Sequence, residues 1–215
     1  MKNSFLTPSM LKIGGEVISW SDRYLTKENE NIMRPKGSQV VCPFVKPTID
    51  NDTYYITFAP EITKGSIKEI EKVTINNLKK FKELLPIGGN SVYKKGLLII
   101  FNNLSNEDAC ALDRVHENIK DVFVSNGLML GQFHANCDER GAYNPDFKVS
   151  VSPYPLFAIR SLAVHDILFL KEKRSWFEAF DSLYGDRFKK NKLDENTSYL
   201  EQFYLEAKAM YSKAN

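Results

Sequence analysis

The chain has 215 residues, 43% of them apolar and 26% charged, with a formal net charge of +2. That length suffices to bury one sizeable core, and so small a charge gives no ground for a nucleic-acid or membrane-surface partner. Three cysteines, Cys42, Cys110 and Cys137, cannot all pair and form no CxxC, so reduced thiols in a cytoplasmic compartment are the simplest account. The first residues lack the apolar core of a signal peptide, and no apolar run reaches the roughly 18 residues of a membrane span. The expected organisation is a single domain over 1–215, with an N-terminal appendage at 1–32, a core at 33–190 and a C-terminal helix at 191–215.

Residues 1–40 are poorly periodic, and Gly14-Gly15 reads as a turn. Trp20, Tyr24 and Leu25 share one short helical face. Pro35, Pro43 and Pro47 argue against a regular helix in the extended segment that follows. Tyr54 to Phe58, rich in aromatic and β-branched residues, predicts a strand. Ser66-x-x-Glu69 has the form of a capping box. The helix it opens lines Ile67, Ile70, Val73, Leu78, Phe81 and Leu85 along one side and stops at Pro86 and Gly88-Gly89. Leu97 to Phe101 is a continuous apolar run of strand length, expected to be buried on both faces. Ser105 and Asp108 open a second helix with Ala109, Leu112, Val115, Ile119 and Phe123 on its apolar face, ended by Gly127. Strands follow at Leu128–Phe133 and Leu156–Arg160, and helices near 176–188 and 195–212. The last carries Tyr199, Leu200, Phe203, Tyr204, Ala207 and Met210 as a stripe. The order predicts an α+β fold, a single sheet of about four strands covered by helices, with an extended N-terminal segment and C-terminal helices.

The stretch from Gly127 to Asp166 holds more chemistry than a plain core needs. His134 stands where a strand opens into a long loop, either as a working residue or as a clasp for that loop. Arg160 alternates with Leu156 and Ala158 on one strand face and needs an anion there. A salt bridge inside the fold, a substrate carboxylate or a heme propionate would each serve. His165 is a metal or heme ligand, a general base, or a boundary residue. Asp166 is a helix cap or a substrate contact. His116 falls at the edge of a helical face, as a satisfied core histidine does. Cys42, in VVCPFV, is either an inert buried thiol or a nucleophile served by a histidine. Cys137 follows His134 by three residues, a pair able to chelate a metal, but no second pair has zinc spacing, so a structural zinc site is not expected. Phosphate loops, HExxH and GxSxG are absent from the sequence.

Three phrases, VVCPFV at 40–45, GLMLGQFH at 127–134 and PYPLFAIRSLAVHDILFL at 153–170, resemble an uncharacterised bacterial domain family over roughly 33–190. More distantly, the Cys-Pro segment and the late histidine are similar to the YqcI/YcgG-type heme proteins, some of which oxygenate nitrogen on amino acids or guanidines. That resemblance implies a histidine-ligated heme and an oxidative reaction, with His165 or His134 the matching ligands.

The leading expectation is therefore a heme-dependent oxygenase acting on a small amine-bearing metabolite. His165 would hold the iron, His134 would be the distal group or alternative ligand, and Arg160 would anchor a propionate or carboxylate. The alternatives are a cofactor-free enzyme with Cys42 as nucleophile and His134 or His165 as base, and a non-catalytic small-ligand-binding domain. The expected partner is a small molecule; a homodimer is compatible with the composition.

Overall fold

The computed structural model describes residues 5–84, 95–190 and 192–212. Leu85, Pro86 and Gly88-Gly89, read above as the end of a helix, lie outside the described residues. The fold is α+β. Its one sheet contains β1 (Tyr54–Phe58), β2 (Gly96–Ile100), β3 (Leu128–Phe133) and β4 (Leu156–Ser161), in the order β1-β2-β4-β3. β1 and β2 run parallel, joined through a helix. β4 lies antiparallel between β2 and β3, with Gly96 opposite Arg160 at one end and Phe133 opposite Leu156 at the other.

Alternation of side chains sorts these strands into two apolar faces. Leu97, Ile99, Leu128, Leu130, Phe157 and Ile159 point to one side. They pack there against α3 (Ile67–Glu83) and α4 (Ala111–Ser125), which present Ile70, Leu78, Phe81, Leu112, Val115, Ile119 and Phe123. Leu98, Ile100, Leu156 and Phe133 point the other way and meet α1 (Pro8–Trp20), whose Val17 is fully buried among them. The all-apolar sequence of β2 follows, because all five of its residues are buried between two helical layers.

α1 is the largest departure from the sequence reading. Gly14-Gly15 is no turn but the interior of this helix. Gly14 lies buried against the sheet: a Cβ there would touch the Phe58 ring at 3.5 Å. Thr7 caps the helix by accepting the Met10 N–H at 3.3 Å, and Pro8 occupies the first turn, where no N–H is needed. The same logic corrects Pro47. It sits in the first turn of the short α2 (Val45–Asp50), where its missing donor costs nothing. Ser66 stands at the N-cap of α3, but its side chain makes no capping bond, so the capping box is absent.

A third apolar cluster joins α5 (Ile167–Leu170), α6 (Arg174–Lys189) and α7 (Glu201–Ser212) to Val124 and Leu162 through Phe177, Phe180, Phe188, Leu200, Tyr204 and Ala207. Met210 is exposed and not part of that stripe. No helix of the described residues is long and apolar enough to cross a membrane.

Candidate functional site

The residues singled out in the sequence gather into two separate polar centres on opposite faces of the sheet. The first forms around Cys42. Its backbone N–H donates to the Leu25 carbonyl at 2.9 Å, which ties VVCPFV to the end of the N-terminal helical segment. After Pro43 the Val45 N–H returns to the Cys42 carbonyl at 3.4 Å, and the Phe44 and Val45 amides lie near enough to the sulfur to favour its thiolate. Arg160 reaches the same place from β4. Its guanidinium stacks 4.3 Å from the centre of the Phe44 ring, and the His165 ring meets the other edge of this cluster with its centroid 6.5 Å from that of Phe44.

Asp166 fixes the guanidinium. Its two oxygens accept from the two terminal nitrogens of Arg160 at 2.7 Å each, and Oδ2 also accepts the Ala163 N–H at 2.8 Å. Asp166 is 1% exposed with both oxygens bonded; it stands at the N-cap position of α5 without a side-chain capping bond there, and Oδ2 instead secures the N–H of Ala163, which caps the short helical turn Val164–Asp166. It is the structural partner of Arg160. Arg160 retains partial exposure, as do Cys42 and His165.

Burial pushes the Cys42 thiol above its ordinary value, against the opposing pull of Arg160 and the two N–H donors. Burial, helped by the charge of Arg34, lowers His165 and keeps its ring neutral at pH 7. Arg160 is held above its usual value by Asp166 despite the cost of burial. The centre therefore carries a neutral thiol beside a paired cation and a neutral imidazole.

The second centre forms around His134, just past the end of β3. The backbone of this residue anchors the long connection to β4: its N–H donates to the Ser150 carbonyl, and its carbonyl accepts from Cys137 and Ser152. The ring is 1% exposed, and its Nε2 lies 3.0 and 3.1 Å from the two oxygens of Asp113 on α4. Cys137 is fully buried, with Sγ 3.8 Å from Asp113 Oδ1. Burial lifts its thiol to about 11.

His134 and His165 do not meet. His134 follows Phe133, which pairs with Leu156, whereas the Cys42 centre surrounds Arg160, four residues further along β4. That is roughly 13 Å of strand. Alternation also sends His134 to the α4 side and Arg160 to the α1 side. One bound iron cannot be shared between the two histidines. His116 is a satisfied core residue: its Nε2 donates to the Leu130 carbonyl at 3.0 Å, and burial lowers its pKa to about 4. A surface depression of about 530 Å³ between Lys12, Glu16, Trp20, Arg23 and Pro153 touches neither centre.

Sequence reasoning missed Asp113 and Phe44. Asp113 precedes the apolar face of its helix by no recognisable motif, and only the fold brings it beside a histidine 21 residues away. Phe44 was visible in VVCPFV, but nothing local shows that an arginine from a distant strand would lie on its ring.

A one-sheet α+β domain with a thiol–guanidinium centre on one face and a carboxylate–imidazole–thiol centre on the other is the class that these observations define. The chain belongs to the family described as Domain of unknown function (DUF6875), whose profile matches residues 14–195. The match takes in part of α1 and both centres. No curated protein and no solved structure matches the chain.

Proposed function

We propose that the protein is a heme-dependent oxygenase acting on a small amine-bearing metabolite, with Cys42 as the residue that would hold the iron. The supporting observation is the setting of the thiol. Burial holds the proton on the sulfur, while the Arg160 guanidinium and the nearby Phe44 and Val45 amides favour its anionic form. A sulfur so arranged is poorly prepared to act as a free nucleophile, which needs a depressed pKa. It is well prepared to become a thiolate when a metal cation supplies further positive charge. Hydrogen bonds to a ligating sulfur also tune the metal it holds. The resemblance to YqcI/YcgG-type proteins implies heme and the substrate class, but with a histidine rather than a cysteine on the iron.

When bound, heme would supply activation of O₂. The chain's own residues have simpler tasks. Phe44 offers aromatic surface beside the sulfur. Asp166 keeps Arg160 oriented over that ring. His165, neutral and partly exposed, would take a proton from an amine at a ring nitrogen. This reading moves the iron from His165 to Cys42 and gives His134 no part in the reaction.

Titration with hemin tests it. The expected result is a Soret band and a ferrous–CO spectrum of the thiolate type. Cys42→Ser should abolish the thiolate signature, and His165→Ala should retain it while lowering turnover of the amine substrate. Failure to bind hemin overturns the heme reading. An imidazole-type spectrum that vanishes in His165→Ala overturns the assignment to Cys42.

A further inference from the structure

The second centre has the composition of a metal site. Asp113, His134 and Cys137 each offer one ligand atom, and these atoms lie within 4.8 Å of one another. They come from two elements that the fold locks together: α4 supplies the carboxylate, and the turn after β3 supplies the imidazole and thiol. Two separations, 3.0 Å from His134 Nε2 to Asp113 Oδ1 and 3.8 Å from Cys137 Sγ to the same oxygen, resemble edges of a tetrahedral site. Bonds of about 2.0 Å to nitrogen and oxygen and about 2.3 Å to sulfur give edges of roughly 3.3 and 3.5 Å. Small side-chain rotations would close the difference.

The imidazole is also incompletely satisfied on the ring edge away from Asp113. His134 is 1% exposed, and its Nδ1 is buried without any hydrogen-bond partner among the described residues. Hydrogen bonding within the protein thus leaves half of this imidazole's capacity unused, at a position where an unsatisfied polar atom is costly. Cys137, likewise, has only long contacts to Asp113 and to the Gln132 carbonyl at 3.9 Å. Asp113 retains 40% side-chain exposure, so the site opens to solvent on its side alone.

We propose that Asp113, His134 and Cys137 form a mononuclear site for a borderline divalent cation of the Zn²⁺ class. One carboxylate oxygen, one ring nitrogen and one thiolate make three protein ligands, and the opening at Asp113 leaves the fourth position to water. Mixed oxygen, nitrogen and sulfur donors select such an ion over Mg²⁺ or Ca²⁺, which take oxygen alone. Binding releases the Cys137 proton to solvent, because only the thiolate ligates. The site is independent of the Cys42 centre and stands whether or not that centre binds heme.

Co²⁺ titration of the full chain, stripped with a chelator, tests the proposal because cobalt–thiolate bonds absorb in the near ultraviolet. The expected result is one equivalent bound with a charge-transfer band, which Zn²⁺ displaces. Cys137→Ser should remove the band, while Cys42→Ser and Cys110→Ser should keep it. Loss of even an outer-shell partner commonly costs roughly 10–100-fold in affinity, so neutralising a direct ligand in Asp113→Asn, at a partly exposed position, should weaken Co²⁺ binding at least about ten-fold. Absence of the band in the parent protein overturns the site. So does a band that survives Cys137→Ser, or an affinity unchanged in Asp113→Asn.

Discussion

Asp166 shows how one side chain sets the behaviour of another. Removing a partner from a buried ion pair costs about 3–5 kcal/mol because a charge is left behind. Arg160 is 22% exposed and recovers part of this from solvent. Asp166→Ala should therefore destabilise the fold by about 3 kcal/mol in urea unfolding. An Arg160→Met, Asp166→Ala double variant should be less destabilised than the sum of its parts. The cysteines give a second residue-scale outcome. Cys110 is exposed, whereas burial raises both Cys42 and Cys137. Iodoacetamide at pH 7 should label Cys110 first, with mass spectrometry of timed digests as the measurement. His116 gives a third. Folding lowers its pKa from 6.5 to about 4, so folding favours the neutral ring. Its contribution is complete above about pH 6.5 and is lost as the pH falls towards 4, by up to about 1.4 kcal/mol per pH unit. Stability should fall less steeply across that window in His116→Gln, which keeps a donor for the Leu130 carbonyl.

Among the elements, α1 and the segment after it decide whether the second sheet face is covered. Val17 is fully buried against Leu98, Ile100 and Leu156. Val17→Ala should cost about 2 kcal/mol through lost contact and a residual cavity, read as a lower urea midpoint. The strands and α4 were legible because a period of two, or of three to four, survives in Leu97–Phe101, in Leu128–Phe133 and in Leu112, Val115, Ile119 and Phe123. α1 was not, because Gly14-Gly15 looks like a turn until Phe58 is seen beside it. The polar centres were half legible. Arg160, His165 and Asp166 stand out as residue types that a core does not need, and the fold gathers them around Cys42. Their pairing was not legible, since Phe44 and Asp113 act through contacts that no spacing encodes. The same limit hid the separation of His134 from His165, which depends on strand register and side-chain alternation.

At the scale of the whole molecule, the C-terminal helices form a layer of their own rather than an ornament. Leu200, Tyr204 and Ala207 are buried against Phe177, Phe180 and Phe188, and the Tyr204 and Phe188 rings stack with centroids 4.2 Å apart. Ending the chain at residue 195, where the family match ends, would expose those phenylalanines. The truncated protein should lose at least about 4 kcal/mol of burial and bind a hydrophobic dye, with a lower unfolding temperature in calorimetry. The sheet itself has one more consequence. Since β4 carries Arg160 towards one helical layer while the end of β3 delivers His134 to the other, the sheet with its apolar side chains on both faces lies between the centres. Lesions on the two sides share no partner and should combine additively. A thermodynamic cycle of Asp113→Asn with Asp166→Ala should show a coupling below about 0.5 kcal/mol. The sheet then serves as an insulator, and either face can be redesigned while the other keeps its chemistry.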